Sequence, residues 1–237
     1  ITLQRYSFQP DTSAPLSLAE AYFSKDLQFP NDVTGGEVDL GGSATVPAGA
    51  SYVELTPATN SQSGTMVIKS IPPRQKVSRM VVKFQVQTTG GTTPPADGFS
   101  FNFGPELFGS TIGEDGVKKG LAITFDTFDN GSGDTAPAAE VVYDSITKAG
   151  VSFSGRRVSG LPAYPYAKNP DGSTASLTTG ANFVPVQVDL SIPTENGGGV
   201  VTVTWNGVKI LENVAVPFSP AKGWRIGFGA RTGNDTQ

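Results

Sequence analysis

The chain has 237 residues with a net charge of −4, and it contains 29 glycines, 18 prolines and 37% hydrophobic residues. This composition supplies one sizeable core and little helix-forming sequence, so it predicts a single all-β domain. The absence of histidine and cysteine excludes imidazole or thiolate zinc sites, cysteine nucleophiles and serine–histidine–aspartate triads, and the dispersed basic residues argue against a nucleic-acid partner.

Alternation of apolar and polar residues is the main structural signal along the chain. Residues 17–25 (SLAEAYFSK) are compatible with one short helix, and residues 80–87 alternate with period two, which is typical of a strand with one buried face. The same alternation recurs at 186–192, 201–205 and 224–230, where it predicts half-buried antiparallel strands.

Turn signals separate these strands and predict how they connect. The stretch VTVTWNGVKIL predicts a hairpin with Asn206–Gly207 at its tip. The long loops at 104–120 and 129–139 are where a binding site is expected. No apolar run approaches the roughly 18 residues that a membrane span needs. The sequence therefore predicts a two-sheet antiparallel β-sandwich without membrane insertion.

Four carboxylate or amide side chains, Asp126, Asp129, Asn130 and Asp134, lie close together in the stretch FDTFDNGSGD, residues 125–134. Carboxylates, an amide and a backbone carbonyl from one curled loop are the ligands that Ca²⁺ prefers. The EF-hand pattern does not fit, because its third position from Asp126 is Phe128 and its twelfth is Pro137. These residues alone leave two alternatives, a metal site and a solvated acidic turn.

A second segment, PADGFSFNFG at 95–104, changes the interpretation when it is combined with GLAITFDTFDN. The pair resembles the legume-type (L-type) lectin family, the concanavalin A-like lectins, in which an Ala-Asp-Gly-Phe strand start precedes a Phe-Asp-Thr loop. The stretches VDLGGSATV, YVELT and GWRIGFGARTG resemble further strands of that family, in the same order. The resemblance implies a concanavalin A-like jelly roll over residues 27–237, with residues 1–26 as an N-terminal extension or edge strand.

The resemblance also implies a set of metal ligands. In that family the loop binds Ca²⁺, and the matching ligands here are Asp126, the carbonyl of Phe128, Asn130 and Asp134. The amide of the family's asparagine also binds the sugar, so the ion orients a sugar-binding residue, and Asn130 inherits both roles.

The remaining sugar contacts implied by the family come from several loops. Asp97 is expected to accept hydrogen bonds from two sugar hydroxyls, after a cis peptide bond between Ala96 and Asp97. Phe128 is the preferred aromatic residue for stacking on a sugar. The other expected contributors are a backbone amide in a glycine-rich loop, from Gly113 or Gly116, and the loop with Asn234 and Asp235.

The chain departs from the family at two places. Legume members hold a transition metal with a glutamate and a histidine, and the matching positions here are Thr124 and Glu140. The transition-metal site is therefore predicted to be absent or altered, and whether Asp144 takes part in such a site stays open. Family members also continue into one more strand, so the natural polypeptide is expected to continue past Gln237.

The resulting interpretation is a calcium-dependent carbohydrate-binding domain that is not an enzyme. Its partner is a glycan or polysaccharide, its location is secreted or cell-surface, and a longer polypeptide or a homo-oligomer remains open. Two alternatives compete with it. One is a structural or adhesive surface module that keeps Ca²⁺ without binding sugar. The other is a glycoside hydrolase, for which Glu37 and Asp39 are the best carboxylate pair on one strand face.

Overall fold

The structure is a computed structural model that describes residues 2–8, 25–69, 79–89, 91–92, 96–105, 107, 112–128, 130, 137–144, 177, 179–191, 198–216 and 223–233. Its regular elements are strands, apart from the four-residue helix α1 (Asn31–Thr34). The helix considered for residues 17–25 lies outside the described residues, except Lys25, which is in a strand. None of the helices in these ranges is long and apolar enough to cross a membrane.

The described strands form two sheets, all of whose strand pairs are antiparallel. The seven-stranded sheet consists of β1 (Thr2–Phe8), β2 (Lys25–Asp26), β4 (Val53–Glu54), β6 (Arg79–Gln87), β10 (Val184–Ser191), β11 (Gly199–Trp205) and β12 (Val208–Val216). The six-stranded sheet consists of β3 (Val38–Gly42), β5 (Ser63–Ile68), β7 (Gly98–Gly104), β8 (Leu121–Asp126), β9 (Ala138–Tyr143) and β13 (Arg225–Arg231).

The core lies between the two sheets and is rich in aromatic side chains. Phe99 and Phe125 of the six-stranded sheet stack with ring centroids 4.4 Å apart, and Trp205 of the other sheet lies 5.7 Å from Phe125. Phe84 and Phe228 meet edge to face across the sheets at 5.0 Å. The two sheets therefore pack face to face, which confirms the predicted two-sheet antiparallel β-sandwich.

The period-two alternation correctly predicted three strands of the seven-stranded sheet, β6, β10 and β11. In β6 the residues Met80, Val82, Phe84 and Val86 are all buried, and the strand pairs with β10 along its length. The hairpin is also confirmed, because β11 and β12 pair and Asn206 and Gly207 between them have φ of 48° and 80°. Positive φ at both central residues is what a two-residue hairpin turn requires.

Strand β13 differs from its prediction, because it is buried on both faces. The sequence indicated a half-buried strand with Gly227 and Gly229 on its outer face, but a second apolar cluster that includes Leu107, Ile112 and Val117 covers that face. Glycine has no side chain, so its outward position could not reveal whether water or protein lies above it. Part of the loop predicted to hold a site is therefore a cover on the six-stranded sheet.

Polar groups fasten this cover to the sheet. The amide of Ile112 donates to the hydroxyl of Thr65 at 2.9 Å, and that hydroxyl donates to the carbonyl of Ile112 at 3.4 Å. The hydroxyl of Ser100 donates to the carbonyl of Gly113 at 2.6 Å, and the amide of Val117 donates to the side-chain oxygen of Asn102. These bonds satisfy polar side chains that would otherwise be buried without partners.

The N-terminal strand is an internal member of the seven-stranded sheet. Strand β1 pairs with β6 on one side and with β2 and β4 on the other. Residues 2–8 thus lie inside the sheet order, and the short strand β2 lies at its end. Pairing register, which composition does not encode, decides this placement. The domain division at residue 27 stays a prediction.

We expect Gly229→Ala to destabilise the fold, because a Cβ at this position would lie 2.3 Å from the backbone oxygen of Ile112. Overpacking of this kind costs about 1–3 kcal/mol. The matched control is Gly41→Ala in β3, where the nearest atom to an added Cβ is 3.8 Å away, and its effect should stay within about 0.5 kcal/mol. Urea unfolding measures both, and equal stabilities for the two variants would contradict the observed cover.

Candidate functional site

A cleft of about 540 Å³ opens where β7 begins and β13 ends. Its described lining combines an acidic residue, an arginine, one aromatic ring, and several hydroxyl and amide groups: Ser61, Gln62, Ser63, Asp97, Phe128, Asn130, Arg231, Thr232 and Gly233. Three of the predicted sugar-binding residues, Asp97, Phe128 and Asn130, are therefore neighbours in space. The fold brings them together by pairing β7 with β8, so that Gly98 lies opposite Asp126.

The backbone fixes Asp97 between two strands. Its amide donates to the carbonyl of Arg231 at 3.1 Å, and its carbonyl accepts from the amide and the hydroxyl of Thr127 at 2.9 and 2.8 Å. The peptide bond between Ala96 and Asp97 is cis, as predicted. A Cβ added at Gly233 would lie 2.9 Å from both carboxylate oxygens. The carboxylate is thus almost buried at the floor of the cleft, and Gly233 makes room for it.

Arg231 joins Asp97 to a second buried carboxylate, that of Glu114. The Nε atom of Arg231 lies 3.3 Å from Oδ2 of Asp97 and donates to Oε2 of Glu114 at 2.8 Å, while Nη2 donates to Oε1 of Glu114. Burial raises the pKa of Glu114 although the hydrogen bond from Arg231 acts in the opposite direction. The same hydrogen bond raises the pKa of Arg231. Burial is the larger effect on Glu114.

Three predicted calcium ligands lie in the described part of the chain, and they are close to one another. The Oδ1 atom of Asp126 accepts from the amide of Phe128 at 3.1 Å, and the side-chain amide of Asn130 is 3.4 Å from the carbonyl oxygen of Phe128. A carboxylate, a carbonyl and an amide in one turn fit a hard cation. Asp134 lies outside the described residues, and within them no three histidine, cysteine or acidic side chains are grouped as a metal site.

The other predicted sugar contacts are not at the cleft or are not described. Gly116 packs against Ala122 and Asn102 on the outer face of the six-stranded sheet, and its amide donates to the carbonyl of Gly113 at 3.3 Å. The structure therefore does not bring Gly116 to the cleft, because the loop containing it serves as a cover. Asn234 and Asp235 lie outside the described residues, directly after Gly233, which does line the cleft.

Residues 61–63 form a wall of the cleft that the sequence analysis missed. The amide of Gln62 donates to the hydroxyl of Thr232 at 2.9 Å, and the amide of Ser61, whose φ is 57°, donates to the carbonyl of Gly233. The pairing of β5 with β13 places Ser63 opposite Arg231. These polar residues carry no motif, so only the strand register identifies them.

Comparisons with known proteins agree with this geometry. The family model described as "Legume-like lectin family" matches residues 20–149, which is more than half of the chain. The chain belongs to the legume-like lectin family. A lectin binds carbohydrate without transforming it, so membership supports a carbohydrate-binding protein rather than an enzyme. A comparison with curated protein sequences gave no match.

Several lectins of known structure have the same fold as this chain. The exoplasmic/lumenal domain of VIP36, bound to Ca²⁺ and Man3GlcNAc, has a TM-score of 0.54 and 19% sequence identity, over 85% of this chain and 79% of that one. The carbohydrate recognition domain of Emp47p has a TM-score of 0.54 and 15% sequence identity, over 84% of this chain and 82% of that one. Peanut lectin has a TM-score of 0.51 and 17% sequence identity, over 82% of this chain and 83% of that one. These likenesses confirm the concanavalin A-like fold.

The positions matched to the legume transition-metal site lie opposite each other in this lectin. Thr124 pairs with Glu140 across β8 and β9, and the buried hydroxyl oxygen of Thr124 has no hydrogen-bond partner among the described residues. Asp144 has a structural role, because its Oδ1 accepts from the amide of Gly120 while its own amide donates to the carbonyl of Gly120. That the transition-metal site is absent or altered stays a prediction.

The carboxylate pair considered for an enzyme lies away from the cleft lining. Asp39 is on β3, at the end of the order of the six-stranded sheet, and forms a 2.6 Å ion pair with Lys69. The carbonyl of the neighbouring Glu37 accepts from the amide of the same lysine. This arrangement ties two strands together, and neither residue lines the cleft.

We expect the contribution of Glu114 to stability to depend on pH. Because burial raises its pKa above 4.5 in the folded protein, the folded protein binds this proton more tightly than the unfolded chain. The resulting stability is present at low pH and is lost as the pH rises through the raised folded value. The melting temperature of the wild type, measured relative to that of Glu114→Gln, should therefore rise on going from about pH 7 to about pH 4.

Thermal melting in EDTA measures this difference without a contribution from bound calcium. The control is Glu212→Gln, which removes the carboxylate of the exposed ion pair with Lys209. A melting temperature of wild type that stays constant or falls relative to that of Glu114→Gln, on going from about pH 7 to about pH 4, would contradict the stated effect of burial.

Proposed function

We propose that this lectin binds glycans in the cleft between Asp97 and Asn130, and that binding depends on calcium. The observation that supports the proposal is that Asp97 lines the same cleft as Phe128 and Asn130, although Asn130 follows Asp97 by 33 positions in the sequence. Each of these residues has the chemistry that one part of a sugar requires.

The carboxylate of Asp97 is suited to accept hydrogen bonds from sugar hydroxyls. Its side chain is only 7% exposed, and the backbone holds it in place, so little conformational entropy is lost when a ligand binds. Hydrogen bonds from a hydroxyl to an ionised carboxylate are short and stronger than neutral ones. Phe128, which is partly exposed in the cleft lining, offers an apolar surface for the C–H face of a sugar ring.

Calcium would be held by Asp126, the carbonyl of Phe128, Asn130 and Asp134. The bound ion supplies positive charge that fixes the side-chain oxygen of Asn130, which leaves the amide group directed toward the sugar. VIP36, one of the lectins of the same fold, has been crystallised with Ca²⁺ together with mannose-containing glycans. A calcium-dependent glycan site in the present chain is consistent with that precedent.

We further propose that the protein is secreted or displayed at a cell surface. The VIP36 domain of the same fold is described as exoplasmic/lumenal. Glycans that a lectin of this kind recognises are borne on extracellular or lumenal molecules, and a chain without cysteine folds in such a compartment without disulfides because it is large enough to bury its own core.

We expect removal of calcium to lower the melting temperature. A ligand that binds only the folded state stabilises it by RT ln(1 + [L]/Kd), which is about 2.7 kcal/mol at a hundredfold excess over Kd. Thermal melting with Ca²⁺ and with EDTA measures the effect, and Asp39→Asn is a control that should retain it. An unchanged midpoint, together with no metal in elemental analysis, would leave residues 125–134 as an acidic turn.

Two substitutions should separate sugar binding from calcium binding. Asp97→Asn removes the charged acceptor and should lower glycan affinity by about 1.5–3 kcal/mol or more, with calcium affinity nearly unchanged. Asn130→Ala should weaken both, because this residue is proposed to bind the ion and the sugar. Glycan arrays with and without EDTA, followed by titration of the bound glycan and of Ca²⁺, provide the measurements.

The same experiment distinguishes the proposal from a structural or adhesive module. A protein that binds Ca²⁺ but no glycan on the array would favour the module. Equal glycan affinity for wild type and Asp97→Asn would place the sugar elsewhere on the molecule, and the functional proposal would fail although the fold stands.

A further inference from the structure

We propose that Arg231 is a specificity-determining residue of the cleft and that the buried Glu114 orients it. Arg231 donates hydrogen bonds to the hydroxyl oxygens of a neutral sugar, and Asp97 accepts hydrogen bonds from hydroxyls of the same sugar. This inference rests on the proposed glycan-binding function and adds to it a ligand-binding residue and a class of ligand.

The position of Arg231 supports a contact with the ligand. It is the last residue of β13 and lines the cleft together with Asp97 and Asn130. Its side chain is 47% exposed, whereas those of its two carboxylate partners are 7% and 9% exposed. The guanidinium group therefore reaches from a buried anchor toward the open part of the cleft.

The orientation of the guanidinium leaves donors for a ligand. An arginine carries five N–H donors in a planar fork. The contacts with Glu114 use the Nε hydrogen and one hydrogen of Nη2, and Oδ2 of Asp97 lies near the same Nε. Nη1 takes part in none of these contacts. Since one edge of the fork is fixed by Glu114, the other edge is preorganised and loses little entropy on binding.

The donors of Arg231 and the acceptor of Asp97 lie side by side, and this pairing suits hydroxyl groups. A sugar hydroxyl is a donor and an acceptor at once. It can donate to the carboxylate of Asp97 and accept from the guanidinium, and two adjacent hydroxyls can divide these roles. A residue that offered only an acceptor would leave the oxygen lone pairs of the same hydroxyls without a protein partner.

The charges around Arg231 favour a neutral ligand. Asp97 and Glu114 carry two negative charges against the one positive charge of Arg231, and the exposed Asp115 adds a further negative charge beside Glu114. Asp126 and Asp134 would balance the charge of a bound calcium ion. A carboxylate-bearing sugar would therefore meet a surplus of negative charge where it approaches the arginine.

The Glu114–Arg231 pair is poorly explained by stability alone. Burial of Glu114 is unfavourable enough that its pKa is raised despite the arginine, and a buried ion pair is weak evidence for stability. The pair instead holds the guanidinium of Arg231 in one position on the cleft wall. Glu114 is then a positioning residue that acts through Arg231.

The test is a cycle that combines protein variants with altered sugars. The probes are the methyl glycosides of mannose, glucose, galactose and N-acetylglucosamine, their monodeoxy derivatives, and the corresponding uronic acid glycosides. Affinities are measured by NMR titration at saturating Ca²⁺ for wild type, Arg231→Met, Arg231→Lys and Glu114→Gln. Lys209→Met is the control, since it removes a positive charge from an exposed ion pair on β12.

We expect Arg231→Met to weaken binding of the recognised neutral glycoside about tenfold or more. The loss should vanish for the one deoxy derivative that lacks the hydroxyl contacted by Arg231, because that contact is already missing. Arg231→Lys should recover part of the affinity, Glu114→Gln should lose part of it, and Lys209→Met should match wild type. Neutral glycosides should bind more tightly than their uronic acid counterparts.

Several results would overturn the inference. Equal losses for every deoxy derivative would show that Arg231→Met only perturbs the cleft, and wild-type affinity in Arg231→Met would remove any role for the arginine. Tighter binding of a uronic acid glycoside would overturn the neutral ligand class. Where wild type binds glycans and Arg231 has no effect, the inference fails alone. Where wild type binds neither these probes nor any glycan on the array, the proposed function fails with it.

Discussion

The hydrogen bonds that fix the backbone of Asp97 are the constraint on which the rest of the site depends. One bond runs to the carbonyl of Arg231 at the end of β13, and two come from Thr127 just after β8. They connect three neighbouring strands of one sheet at the point where those strands open into loops. Because these bonds hold the backbone, the carboxylate is almost buried and still lines the cleft, next to the turn after Thr127 that is proposed to bind calcium.

Much of the fold follows directly from the sequence, because apolar and polar residues alternate along a strand that has one buried and one solvent-exposed face. Strand β6 and the hairpin at Asn206–Gly207 are examples in which local chemistry decides the structure. The family motifs also predicted Asp97, Phe128 and Asn130 as neighbours. Local patterns failed where a third segment intervenes: Gly229 gives no sign that Ile112 lies above it, and Gly116 belongs to the covering loop rather than to the cleft. Ser61 was missed because strand register alone places it.

Arg231 connects the cleft to two other parts of the fold through separate groups. Its backbone performs the general task of holding Asp97, while its side chain adds a cation that reaches the covering loop through Glu114. The loop and the cleft are therefore mechanically connected: a shift of residues 112–117 moves Glu114, and with it the donor group beside the carboxylate. Sequence variation in the cover can in this way alter binding without touching the residues that contact a ligand directly.

The apolar cover on the six-stranded sheet has a consequence for how this protein can diversify. Where Leu107, Ile112 and Val117 pack on it, the sheet is closed to solvent on both sides, so its central surface is unavailable to an extended polymer chain. The proposed glycan site accordingly lies at the rim of this sheet, where β7 begins and β13 ends. Changes in the length and composition of the loops at this rim can therefore alter the proposed specificity while the interior between the two sheets stays unchanged.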